Sequence, residues 1–154
     1  MKPGSRAPRF SLPDGNRVPH RLTSLLGEHH IVLAFYEMAF ADDWSRELRA
    51  LNAARAELEA CSAQVLGVST DPLPAVGAWA RETRLWFPLL SDWPENKVSR
   101  AYGVYDEGRG VARRATFVIG RDARVGAIVD GFADAGEHTA AVLSALAAFT
   151  VAPR

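Results

Sequence analysis

The segment FYEMAFADDWSREL, residues 35–48, leaves an apolar strand and enters a helix with charge along one side. Upstream, IVLAFY (31–36) is a near-continuous apolar run of the kind that forms a strand covered on both faces. Downstream, Trp44, Leu48, Leu51, Leu58 and Cys61 recur at helical spacing, which predicts one long helix with a single buried stripe. QVLGVST (64–70) is a second buried strand, so strand, helix and strand make a right-handed βαβ unit with a parallel pair.

The same alternation extends outward from this unit. RFSLPDGNRVPHRL places the turn PDGN between two short extended pieces, an N-terminal hairpin. A helix is expected from Ala75 to Glu82, a short strand at 87–92 and a short helix over 95–103 that ends at Gly103. ATFVIGRDARVGAIVDG alternates on both sides of GRDA, an antiparallel hairpin, and GEHTAAVLSALAAF closes as a helix. The expected class is α/β: a mixed central sheet flanked by helices, in one domain over residues 1–154.

Composition narrows the function. With 154 residues and 48% hydrophobic content, the chain can bury a core of ordinary single-domain size. Eighteen basic residues balance eighteen acidic ones and no Lys/Arg run stands out, which argues against nucleic acid as a partner. The opening MKPGSRAPRF lacks a signal-peptide core, and no run of about 18 apolar residues offers a membrane span, so a soluble cytoplasmic protein is expected. Cys61 is the one cysteine, which excludes an internal disulfide, a thiolate zinc site and a CxxC pair.

Loops that lead from parallel strands into helices are where α/β folds bind ligands, so residues 37–46 are the candidate site. A cysteine in the first helical turn would have its thiolate stabilised by free N–H groups and the positive end of the helix dipole. The chain presents Trp44 instead.

With APRFSLPDGNRV, IVLAFYEMAF, QVLGVSTD, WFPLLSDWPENKVSRAYGVYDE and RRATFVIGRDARV in this order, the chain resembles the peroxiredoxins, the AhpC/TSA redoxins of thioredoxin-like fold, and among them the one-cysteine AhpE-like type. In that family the loop reads P-x-x-x-T-x-x-C. Its cysteine attacks the peroxide, its threonine and a later arginine orient the substrate, and its proline shields the site. The resemblance puts Glu37 at the proline position, Ala41 at the threonine position and Trp44 at the cysteine position. It matches Glu47 and Arg114 to the family's glutamate and arginine. It implies the fold and a dimer; no cofactor is expected.

The residues themselves point the same way. Neither Trp44 nor Asp42, Asp43 or Ser45 can attack a peroxide oxygen and carry the resulting oxidation state. An enclosed Trp44 would bury about 200 Å² as a plug in the emptied pocket, or else form one wall of a ligand site. Cys61, 17 positions on, would lie about 25 Å away along a continuous helix and acts there as a small buried hydrophobe. The acidic residues Glu37, Asp42, Asp43 and Glu47 are expected to cap the helix and complement its first turn, with Asp42 or Asp43 as cap, and no metal site is expected. His29 and His30 read as a solvated turn, while His20 and His138 stand alone. The resemblance implies that Arg114 faces inward, and a semi-buried arginine calls for a carboxylate, with Glu47 the expected partner and Glu37 a second one. Met38, Ala39 and Phe40 form an apolar triplet suited to a homodimer interface. Two functions follow as expectations: a pseudo-enzyme serving as a binding or regulatory module, or an antioxidant thiol peroxidase or redox sensor acting through Cys61.

Overall fold

The computed structural model describes residues 1–130 and 134–150, and of residues 42–45 and 150 the backbone only. The chain opens with strands β1 (Ser11–Pro13) and β2 (Pro19–Arg21), paired antiparallel, followed by the single helical turn α1 (Leu22–Leu25). Asp14 organises the turn: its Oδ1 accepts the amides of Asn16 and Val18 at 2.8 and 3.1 Å. The left-handed residue of the turn is Arg17, at φ 65°, and not its glycine. Gly15 is required for another reason, since a Cβ there would stand 2.5 Å from the Cα of Gly77 in a neighbouring helix.

Strand β3 (His30–Phe35) leads into helix α2 (Asp42–Ala53), then α3 (Arg55–Ala60), strand β4 (Ala63–Ser69) and helix α4 (Leu73–Thr83). The helix expected from Trp44 to Cys61 is therefore two helices. No Gly or Pro marks the break; the amide of Ala54 is shared between the carbonyls of Ala50 and Leu51, a tightened turn. The buried stripe of Leu48, Leu51, Ala54 and Leu58 nevertheless continues across it.

Strand β5 (Leu89–Ser91), helix α5 (Lys97–Ala101), strands β6 (Tyr105–Asp106), β7 (Val111–Ala112), β8 (Ala115–Ile119) and β9 (Val125–Asp130), and helix α6 (Ala135–Thr150) complete the chain. The sheet order is β5-β4-β3-β8-β9, with β3, β4 and β5 parallel and β8 and β9 antiparallel to their neighbours. A mixed five-stranded sheet flanked by helices, with an N-terminal hairpin, is the architecture expected from the sequence. The small β6–β7 hairpin was not expected, although DEGRG between Tyr105 and Val111 carries its turn signal.

β3 shows why its sequence is apolar throughout. Ile31, Leu33 and Phe35 pack into one core with Phe117, Tyr102 and Leu66, while Val32, Ala34 and Tyr36 pack on the opposite face with Leu48, Leu51, Trp79 and Leu146. No helix among the described residues is long and apolar enough to cross a membrane.

Candidate functional site

The C-terminal end of β3 delivers residues 36–41 to the edge of the sheet, and α2 starts directly after them. The loop is anchored from β4: the amide of Ala39 donates to Asp71 Oδ2 at 2.8 Å, and Ser69 Oγ donates to the same oxygen at 2.8 Å. The N-cap of α2 is Ala41, which offers no side-chain cap. Asp42 and Asp43 instead occupy the first two helical positions, because the backbone turns helical one residue earlier than a cap at Asp42 would require and two earlier than one at Asp43. Trp44 stands third in the helix; its side chain, like those of Asp42, Asp43 and Ser45, lies outside the described residues, as does any plugging or ligand-wall role expected of it.

Two ion pairs flank the loop. Glu37 is only 5% exposed, and Arg109 at the tip of the β6–β7 hairpin donates to both of its carboxylate oxygens, Nη1 to Oε1 at 2.9 Å and Nη2 to Oε2 at 2.6 Å. The partner of Glu37 is thus Arg109 rather than Arg114. The sequence reading missed Arg109, whose flanking Gly108 and Gly110 were the available signal that it projects from a turn. Arg114, just before β8, donates from Nη1 to Glu47 Oε1 at 3.2 Å. Arg113 faces outward and pairs with Asp130 at 3.1 Å.

Beneath the Arg114–Glu47 pair sits a residue expected to stand alone. His138 of α6 is fully buried, with Nε2 2.9 Å from Thr116 Oγ1 and 3.9 Å from Glu47 Oε2, and its Nδ1 has no hydrogen-bond partner among the described residues. A proton on Nε2 serves Thr116 and leaves Nδ1 as a bare lone pair, the cheaper atom to bury unsatisfied. Burial, and secondly the charge of Arg114, depress the His138 pKa to about 4. Burial raises the pKa of Glu47, an effect that Arg114 partly offsets. At neutral pH His138 in this cluster is therefore neutral, and the cation beside Glu47 is Arg114. The cluster's contacts, Arg114 with Glu47 and His138 with Thr116, suit it to fixing α2 against β8 and α6.

Other expected sites lie elsewhere. Cys61 is the C-cap of α3, partly buried against the core on the α2 side of the sheet. It precedes β4, whose first residue Ala63 pairs with His30 at the start of β3. The candidate loop follows the other end of β3, about 17 Å away at the ordinary rise of a strand. His30 is not part of a solvated turn: it begins β3 and stacks on Phe149, with ring centroids 4.6 Å apart. His20 bonds to Asp14 at 2.9 Å. Met38 and Phe40 project into solvent, Phe40 at 53% exposure and in a left-handed backbone conformation, φ 64°.

Comparison with known proteins places this geometry. The family model described as the AhpC/TSA family matches residues 3–128. The chain is 39% identical over 119 residues to alkyl hydroperoxide reductase E of Mycobacterium tuberculosis, covering 77% of this chain and 78% of that one. It is 29% identical over 144 residues to peroxiredoxin Bcp of Escherichia coli, covering 90% and 91%. Among solved structures, peroxidoxin BcpB from Mycobacterium tuberculosis superposes with a TM-score of 0.88 at 32% identity, covering 96% of this chain and 97% of that one. With that match over most of its length and the thioredoxin-like sheet that carries its loop and ion pairs, the chain belongs to the AhpC/TSA family of peroxiredoxins.

Proposed function

We propose that this chain is a pseudo-enzyme of the peroxiredoxin family: a cytoplasmic homodimer that serves as a binding or regulatory module and has no thiol-peroxidase chemistry of its own. The observation that carries the proposal is the residue at the third position of α2. There, where the resemblance places the attacking cysteine, stands Trp44, and the one sulfur able to form a thiolate is at the far end of β3. A thiol peroxidase needs its thiolate beside the helix N-terminus and a group that holds the peroxide against it. Ala41 in place of a threonine removes a hydroxyl from the same site. Arg114 and Glu47 keep each other neutralised, a structural use of residues whose family counterparts orient substrate.

The alternative is an antioxidant or sensing thiol at Cys61, favoured by that residue being free and partly exposed. Its contact with the core argues for a small hydrophobe. A steady-state assay of hydrogen peroxide and an organic hydroperoxide with a dithiol reductant separates the two. The proposal expects consumption at the protein-free rate for wild type and Cys61→Ser alike, and turnover abolished by Cys61→Ser would establish the alternative.

The dimer rests on the apolar Met38 and Phe40, two positions apart and both exposed on an otherwise well-anchored loop. Large apolar exposure of this kind commonly marks a contact surface.

A further inference from the structure

A cleft of about 430 Å³ lies between the segment that leads into β1 and the turn from β5 into α5, and none of its lining residues belongs to the loop at 36–41. Its volume falls within the ordinary range of small-molecule sites, roughly 300–1,000 Å³. Phe10, Leu12 and Pro13 line one side, and Trp93, Pro94 and Val98 the other. Trp93 is 54% exposed, so a large apolar ring stands open at the mouth.

Both walls are set before anything binds. The buried carboxylate of Asp92 accepts the amides of Val98 and Ser99 at 3.2 and 2.7 Å and the Ser99 hydroxyl at 2.7 Å, which fixes the turn onto α5. Tyr102 donates its hydroxyl proton to the Pro8 carbonyl at 2.7 Å and so ties the facing segment to the end of α5. A cleft with fixed walls loses little ordering entropy when it is filled.

The charges at the rim select the ligand. Lys97 is neutralised by Glu95 at 2.8 Å, and the oxygens of Asp92 are taken up by α5. Arg9 lines the cleft, is exposed, and makes no hydrogen bond or ion pair among the described residues. A planar guanidinium with unclaimed donors beside flat apolar surfaces suits an aromatic body that ends in a carboxylate.

We propose that this cleft binds small aromatic carboxylates, the ring against Trp93 and Pro94 and the carboxylate on Arg9. The site stands whether or not the loop at Trp44 retains chemistry, since it shares no residue with it. The test is calorimetric titration with 1-naphthoate, its neutral analogue 1-naphthamide and the cation 1-naphthylmethylammonium, with amide-resolved NMR to locate binding. For naphthoate we expect a Kd of about 1 mM or tighter, the affinity range open to a ligand of that size. Arg9→Gln should weaken naphthoate about tenfold and leave the amide unchanged. Ala101→Trp should abolish binding; Ala101 lines the cleft and is itself exposed, so its replacement fills the space without entering the core. An absence of saturable naphthoate binding at ten times the expected Kd would overturn the site, as would unchanged binding in a folded Ala101→Trp. Equal or tighter binding of the amide or the cation would overturn the assignment to carboxylates.

Discussion

Glu37 and Arg109 lie 72 positions apart and meet through two parallel hydrogen bonds at the base of the candidate loop. The carboxylate is buried, while its partner is half exposed on a hairpin of two-residue strands. The pair thus ties the β6–β7 hairpin to the loop after β3, where the family pattern has a proline that could form no such tie.

Breaking that tie from one side should cost more than removing it whole. Arg109→Met leaves a buried carboxylate without its counter-ion, whereas Glu37→Met with Arg109→Met leaves none. Urea unfolding should rank wild type above the double variant and the double variant above Arg109→Met. A double variant less stable than Arg109→Met would show that Glu37 does not depend on Arg109.

Arg114→Met should destabilise the protein by about 1–2 kcal/mol near pH 7.5, the cost of leaving a partly buried carboxylate unpaired. The Glu47 pKa, already raised by burial, rises further without Arg114. A raised folded-state pKa means that the folded protein binds more protons than the unfolded one, so stability falls as pH climbs from the ordinary value of 4.5 through the folded value. The deficit should therefore shrink toward pH 4. Thermal melts with the same deficit at pH 4.5 and 7.5 would rule out the pairing.

His138 makes a pH prediction of opposite sign. Its folded-state pKa of about 4 lies below the ordinary 6.5, so the unfolded chain binds the extra proton first. The stability of neutral His138 is fully present above pH 6.5 and is lost as pH falls toward 4, on the order of 2–3 kcal/mol. His138→Gln can keep a hydrogen bond to Thr116 and does not titrate, so its stability should be flatter than wild type between pH 6.5 and 4.5. Parallel profiles for the two proteins would contradict the burial of a neutral imidazole.

Phe40→Asp should shift the protein from dimer toward monomer in sedimentation equilibrium, because a carboxylate replaces a half-exposed ring on the proposed contact surface. A monomeric wild type, or an unchanged mass in the variant, would remove this surface from the assembly.

The sheet was legible because its signal is redundant. The alternate residues of β3 fill two separate cores, and a strand of that kind reads as apolar from end to end. The Arg114–Glu47 pair was readable through the family resemblance, which places an inward-facing arginine just before β8 and a glutamate in α2. Arg109 and His138 were passed over, since each reaches the site from an element distant in sequence, although His138 falls on the buried stripe that Val142 and Leu146 continue four and eight residues on. The break at Ala54 has no sequence signal, because its shared hydrogen bond involves backbone alone.

The most direct test is the rate at which Cys61 is oxidised by hydrogen peroxide, followed by mass spectrometry after alkylation, with free cysteine oxidised in parallel. A peroxidatic thiolate reacts far faster than an unactivated thiol, and Cys61 lies at the opposite end of β3 from the loop that would activate one. The proposed loss of peroxidase chemistry predicts that Cys61 reacts no faster than free cysteine; oxidation orders of magnitude faster would contradict it.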